Sequence, residues 1–326
     1  MNTSSRYARQ FEVLRGKAMD DVVGVLMRRH ESRRGGLWYS SQFLPAGEVV
    51  VPEDDETARD LRKRASTLPD WVRVSIALNI WTEEGLPHFH RLLAGVVGYD
   101  SNLGKWNNLW TAEEDRHGNV LRDYARAARI FDFLSFEIQQ FEYIRAGFNP
   151  PWAASPFKVF VYTTLQEKAT QISHGRTGAA AGRHEPLLEQ ILRKVAEDEA
   201  RHYAFYLDLY KAVIDQDPNG ALVAANEILP HIDMPGVSMP DFGDYVEVEA
   251  RAGIYTLRNY KAVVEGVLRH WGVSTRQNLD PEGTLAQEEI CAIPERLEKA
   301  AQRIERRLLN KKTFSFRVIH GREFTL

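Results

Sequence analysis

The chain has 326 residues, 44% of them hydrophobic and 27% charged, which is enough apolar material for a sizeable core. Its 42 basic and 45 acidic side chains leave a formal net charge of -3, so bulk charge gives no reason to expect nucleic acid as a partner. The single cysteine, Cys291, excludes an intrachain disulfide, and nothing resembles a thiolate metal site.

The N-terminus, MNTSSRYARQFEVLRG, has neither the apolar segment nor the small-residue cleavage site of a secretory signal. No stretch approaches the roughly 18 apolar residues of a membrane span, so a cytoplasmic protein is expected. Residues 8–30 carry Phe11, Leu14, Met19, Val22, Val25 and Leu26 at helical spacing and predict a first helix, ended by Gly35-Gly36. Residues 43–56, with two prolines and an acidic run, read as loop. From about residue 57 to 214 the chain reads as helix, broken at Leu68-Pro69, 98–104, 147–156 and 175–182. A long connection is expected over 215–243, which holds four prolines and three glycines. Helix resumes over 246–271 and 281–312. The ending FSFRVIHGREFTL alternates apolar and polar residues around His320-Gly321, a β-hairpin signal. The expected fold is all-α with a small β appendage, organised as one domain: a core bundle over about 57–214, then C-terminal helices and a hairpin over 244–326.

Of ten histidines, only His117 and His202 have a glutamate three residues upstream. They lie in EEDRH (113–117) and DEARH (198–202), which share the form acid-Glu-x-Arg-His. At i and i+3 on a helix, carboxylate and imidazole leave the same face and can coordinate one metal ion. A single Glu-x-x-His is ordinarily a solvated helical pair; two copies with matching flanks are harder to attribute to chance. Trp110, Glu114, His117, Leu121 and Tyr124 step by four and three, and so do Leu192, Val195, Glu199, His202, Tyr206 and Leu209. Both motifs therefore fall on apolar stripes, where an uncompensated carboxylate is costly and a cation offsets the cost. Di-metal carboxylate sites of ferritin-like bundles need one more glutamate from each of two other helices. Glu83 stands 31 residues before Glu114, and Glu167 stands 32 before Glu199, a spacing that fits two tandem antiparallel helix pairs. Glu84 competes with Glu83, but the stripe Ile76, Ile80, Glu83, Leu86, Leu93 favours Glu83. A carboxylate-rich set with one imidazole per metal suits iron or manganese better than zinc or copper.

Longer motifs carry a resemblance. WTAEEDRHG (110–118), QEKATQISHG (166–175), DEARH (198–202), TEEGLP (82–87), Trp38 five residues before FLP (43–45), and FSF (314–316) before the hairpin all resemble the soluble acyl-acyl-carrier-protein desaturases. The resemblance implies a ferritin-like fold with two iron ions held by Glu83, Glu114, His117, Glu167, Glu199 and His202. It implies a homodimer that uses O2 to remove two hydrogens from an acyl chain on acyl carrier protein, leaving a cis double bond, with electrons from a ferredoxin-like donor. Thr170 matches a threonine implicated in handling oxygen and protons. Asp198 and Trp38 match residues thought to link a ligand histidine to the surface. Asp115 and Ala200 depart from the asparagine and lysine usual in plant members, and neither is a ligand. No plastid transit peptide is evident, which favours a bacterial enzyme.

Acyl carrier protein is acidic, so a locally basic docking site is expected. Three clusters qualify: Arg28, Arg29, Arg33 and Arg34; Arg59, Arg62, Lys63 and Arg64; and Arg303, Arg306, Arg307, Lys311 and Lys312. Arg33 and Arg34 are preferred because they lead into the Trp38 segment. The rival within enzymes is a di-iron oxygenase or hydroxylase acting on another tethered substrate. A ferritin-type storage protein is disfavoured by the long C-terminal additions. A ribonucleotide reductase small subunit is disfavoured by the all-glutamate carboxylate set.

Overall fold

A computed structural model describes residues 7–33, 35, 37–44, 55–231 and 235–326. Most of the expected 43–56 loop, and Arg34, lie outside the described residues. The N-terminal segment forms two helices rather than one, α1 (Ala8–Arg15) and α2 (Lys17–Arg33), because the chain turns extended at Gly16. The buried face of α2 is Met19, Val23, Leu26 and His30, while Val25, expected inside, is exposed.

Helices α3 (Glu56–Ser66) and α4 (Asp70–Glu83) are separated at Leu68-Pro69, as the sequence indicates. Next come α5 (Leu86–Val97) and the long α6 (Asn102–Ala128). The break between α4 and α5, at Glu84-Gly85, was not anticipated. Pro87 falls in the first turn of α5 and supplies no N–H to continue the α4 ladder. The α4–α5 arm still packs back along α6, so Glu83 and Glu114 are nearly equidistant from the turn at residues 98–101. Ser101 caps α6 by accepting from the Gly104 N–H.

Helix α7 (Phe133–Ala146) precedes the second pair, α8 (Pro156–Ala181) and α9 (Pro186–Gln216), which make the most extensive helix contact in the chain. A Cβ at Gly178 would lie 3.0 Å from that of Leu192, so glycine permits this close approach. Helix α8 runs unbroken through 175–181, where a break was expected; the turn lies at 182–185. The predicted long connection is also not all loop. It contains α10 (Pro218–Ile228), started by Asp217, whose carboxylate accepts from Gly220 N–H. The chain closes with α11 (Phe242–Arg251), α12 (Leu257–Trp271), α13 (Pro281–Cys291), α14 (Ile293–Leu308), β1 (Thr313–Ser315) and β2 (Glu323–Thr325). The two strands pair antiparallel, Phe314 opposite Phe324.

Two apolar clusters divide the interior. On α6, Trp106 and Trp110 join one cluster and Leu121 and Tyr124 the other; on α9, Leu192 and Val195 join the second and Phe205 and Tyr206 the first. The Glu-x-x-His motifs occupy the interval between them on both helices. The hairpin braces α11, with Phe316 against Tyr245 at 4.4 Å and Tyr245 against Trp81 at 5.4 Å. No helix among the described residues is long and apolar enough to cross a membrane.

Candidate metal centre

All six expected ligand side chains are buried and meet at mid-bundle. Glu83 comes from the last residue of α4, Glu114 and His117 from α6, Glu167 from α8, and Glu199 and His202 from α9. They form two overlapping groups, Glu83–Glu114–His117–Glu199 and Glu114–Glu167–Glu199–His202, with donor atoms in each within 4.8 Å of one another. Glu114 and Glu199 belong to both groups. Glu84 instead turns to Arg122, 2.5 Å away. Gly118 lets the end of α4 approach α6: a Cβ there would sit 3.3 Å from Glu84 Cγ.

The donor atoms converge without satisfying one another. His117 Nδ1 lies 3.1 Å from Glu199 Oε1 and 3.3 Å from Glu114 Oε2; His202 Nδ1 lies 2.7 Å from Glu114 Oε1 and 3.4 Å from Glu167 Oε2. Yet both Nδ1 atoms, Glu114 Oε1, Glu167 Oε2 and Glu199 Oε1 are buried and make no aligned hydrogen bond. Buried polar atoms are rarely left so, and each unmet group is costly. Four carboxyls and two imidazole nitrogens around one small space fit a pair of divalent cations, whose charge equals that of four carboxylates.

The electrostatics without cations express the same crowding. Burial, and then the neighbouring Glu199, push the Glu114 carboxyl up; burial with Glu114 and Glu199 pushes Glu167 well above the carboxylate range. Burial works against protonation of His117 and His202, but the surrounding carboxylates together outweigh it, Glu114 with Asp198 and Glu199 at His117 and Glu114 with Glu113 and Glu167 at His202, and hold both well above the histidine range. Burial would also raise Glu83, but the adjacent His117 and the hydrogen-bonded His174 override it and hold Glu83 low.

A second layer orients the histidines crosswise. His117 Nε2, on α6, faces Asp198 Oδ2 of α9 at 3.4 Å, whereas His202 Nε2, on α9, faces Glu113 Oε2 of α6 at 2.9 Å. The acid that opens each motif thus holds the histidine of the other. Asp198 also accepts from Trp38 Nε1 at 3.0 Å, Arg116 at 3.2 Å and Arg201 at 2.5 Å. Despite their burial, Glu113 and Asp198 are held well below the carboxylate range by the histidines bonded to them. Trp38 stacks parallel to His117, and its sequence neighbours Leu37 and Tyr39 are exposed. Thr170 Oγ1 lies 2.9 Å from Glu199 Oε2 and is also within bonding distance of the Gln166 and Glu167 carbonyls.

Three neighbours carried no role in the sequence reading. Glu113 was visible only as a motif flank. His30 bonds Glu113 Oε2 at 3.0 Å and stacks on His202; its position at the end of the Met19–Val23–Leu26 stripe was the available signal. His174, four residues beyond Thr170 on the same face of α8, reaches Glu83 Oε1 at 2.6 Å.

A cavity of about 100 Å³ adjoins the centre. Glu83, Glu114, Thr170 and Glu199 lie on its wall beside Leu78, Leu86, Phe89 and Ala169, and α11 covers it with Phe242, Val246 and Glu249. Val246 on this wall is exposed to solvent. Arg33 is not on this wall. It lines a separate surface depression with Arg29, His30 and Arg201, behind the histidines.

Comparison with known proteins agrees with this geometry. The sequence profile of the fatty acid desaturase family matches residues 9–320. The Mycobacterium tuberculosis protein named acyl-[acyl-carrier-protein] desaturase DesA1 is 36% identical over 248 residues, 74% of this chain and 73% of its own. The chloroplastic stearoyl-[acyl-carrier-protein] 9-desaturase of Ricinus communis is 32% identical over 304 residues, 89% of this chain and 76% of its own. The crystal structure of the Mycobacterium tuberculosis acyl-ACP desaturase DesA2 shares the fold, with a TM-score of 0.59 at 20% identity, covering 82% of this chain and 97% of that one. A profile match across nearly the whole chain, with relatives above 30% identity over most of its length, shows that the chain belongs to the fatty acid desaturase family.

Proposed function

We propose that the protein is an acyl-acyl-carrier-protein desaturase that holds two iron ions with Glu83, Glu114, His117, Glu167, Glu199 and His202 and introduces a cis double bond at the cost of O2. The observation that carries this reading is the set of five buried, unsatisfied donor atoms converging beside an apolar cavity that opens to solvent. Two iron ions there would supply O2 reduction and hydrogen removal from an unactivated C–H bond, chemistry that acid–base side chains lack.

The chain's own residues do the remaining work. Leu78, Leu86, Phe89 and Ala169 enclose the acyl chain, exclude water and hold one pair of methylenes beside Glu114 and Glu199. Asp198 and Glu113 fix the ring orientation of His117 and His202 through Nε2 and leave Nδ1 free for ligation. Thr170 steadies Glu199 Oε2 and presents a hydroxyl to the cavity for proton movement. Electrons enter along Trp38, Asp198 and His117 from a ferredoxin-like donor. Because Arg33 stands on that histidine side, away from the exposed Val246, the Arg29–Arg33 surface suits the electron donor better than the acyl carrier. Working as a homodimer is part of the same reading.

The test is aerobic turnover of iron-loaded protein, with a reductant and ferredoxin system, on a panel of acyl-carrier-protein thioesters. Loss of two mass units from the acyl chain supports the reading. Gain of one oxygen would make the protein a hydroxylase, and two bound irons with no oxidised chain would remove the assigned reaction.

A further inference from the structure

Most of the cavity wall is apolar, but one stretch carries polar groups that the metal centre does not use. Glu249, on α11, is buried against the cavity. Its Oε1 faces Ser75 Oγ at 2.8 Å and Ser173 Oγ at 3.3 Å. Ser173 Oγ also lies 3.0 Å from Asn79 Oδ1, and Ser75 Oγ lies 2.9 Å from Thr177 Oγ1. Among the described residues, these contacts leave Asn79 Nδ2 buried without a hydrogen-bond partner and engage Glu249 through Oε1. Burial raises the Glu249 carboxyl to about 7, so near neutral pH it can carry a proton to donate.

Their position gives these groups meaning. Asn79 lies four residues before Glu83 on α4, about 6 Å of helix rise from a proposed ligand. Glu249 lies three residues, close to one turn, from the exposed Val246. Both line the same cavity as Glu83, Glu114 and Glu199. A plain run of methylenes would leave Asn79 Nδ2 unsatisfied and could slide along apolar walls, because each methylene resembles the next. An oxygen that accepts from Asn79 and Glu249 would be held at one depth.

We propose that Asn79 and Glu249 form an oxygen-recognition subsite that binds a carbonyl or hydroxyl oxygen of the acyl substrate and so sets which carbon pair lies beside the metal ligands. This rests on the reading of the cavity as the acyl channel. The oxygen has two possible sources. The thioester carbonyl would place the reacting carbons near the carboxyl end, and a hydroxyl within the chain would select an oxygenated substrate.

The experiment compares wild type with Glu249→Leu, which matches the side chain in approximate volume, and Glu249→Gln, which keeps an acceptor for Ser75 and gains an N–H donor. Calorimetry measures affinity for saturated acyl-carrier-protein thioesters and for counterparts hydroxylated at C2 to C6; mass spectrometry locates the double bond. Glu249→Leu should lose roughly twofold to tenfold in affinity, the worth of one hydrogen bond, while Glu249→Gln stays near wild type. Loss on every substrate with scattered double-bond positions identifies the thioester carbonyl. Loss confined to one hydroxylated chain identifies that hydroxyl. A folded Glu249→Leu protein with wild-type affinities and an unmoved double bond overturns the subsite. Should that variant fail to fold, Asn79→Leu takes its place under the same criteria. If wild type turns over no substrate, the desaturase reading falls and the affinities alone decide the subsite.

Discussion

The crosswise second layer makes a prediction that a simple list of ligands does not. Asp198→Asn removes the charge facing His117 Nε2, and Glu113→Gln removes the charge facing His202 Nε2, while each nearly preserves side-chain volume. Carboxylates behind metal-bound imidazoles typically contribute 10- to 100-fold in metal affinity, or about 1.4–2.7 kcal/mol. Asp198 should lie toward the upper end, since it also anchors Trp38, Arg116 and Arg201. Each variant should therefore weaken one of the two metal positions and leave the other within about twofold. Competitive titration of cobalt(II) or manganese(II) against a chelator would resolve the two steps. Assignment follows from double variants: Asp198→Asn should add almost nothing to His117→Gln but its full effect to His202→Gln, and Glu113→Gln should behave in the opposite way. Equal weakening of both positions by either variant, or coupling to the histidine of the same motif, would refute the crossed arrangement.

Three further outcomes follow from the structure. Glu249 should make stability fall with pH: its carboxyl sits at about 7 when folded against a reference of 4.5, so the neutral form stabilises fully below about pH 4.5 and that contribution is lost as pH rises through 7. Denaturant titrations should show Glu249→Gln gaining about 3 kcal/mol on wild type between pH 4.5 and 8, and parallel pH profiles would contradict the assignment. Ala169→Phe, which projects a ring into the cavity, should leave metal content unchanged yet abolish turnover of long acyl chains; loss of metal instead would mean that the wall and the centre are not separable. Thr170→Val removes the hydroxyl on Glu199 and should cost about 1 kcal/mol or less in stability, with a larger loss in turnover that Thr170→Ser restores. Equal turnover by the valine variant would confine Thr170 to packing.

Much of the centre was legible because its chemistry obeys helical periodicity. Glu114–His117 and Glu199–His202 fall on apolar stripes, and nearly equal intervals, 31 and 32 residues, lead back to Glu83 and Glu167 across turns at 98–101 and 182–185. What escaped depends on contacts between segments remote in sequence. His30 reaches Glu113 from 83 residues away, and His174 reaches Glu83 from 91; no local pattern encodes either partner. The break at Glu84-Gly85 was missed because the apolar stripe continues from Ile80 into Leu86, although Pro87 marked it. Helix α8 passes through Gly175 and Gly178 because close packing on α9 outweighs weak helix propensity, so the glycines there serve proximity rather than a turn. Basic clusters are the least informative feature: Arg29 is engaged by Asp208, and Arg64 by Asp60 and Glu185, within the fold itself.

The central claim is that six residues hold a pair of iron ions, and anomalous diffraction at the iron edge from iron-loaded crystals tests it most directly. Two peaks are predicted, one among Glu83, Glu114, His117 and Glu199 and the other among Glu114, Glu167, Glu199 and His202. A single peak, or density centred instead on the neighbouring His30–Glu113–His202 group, would contradict the account.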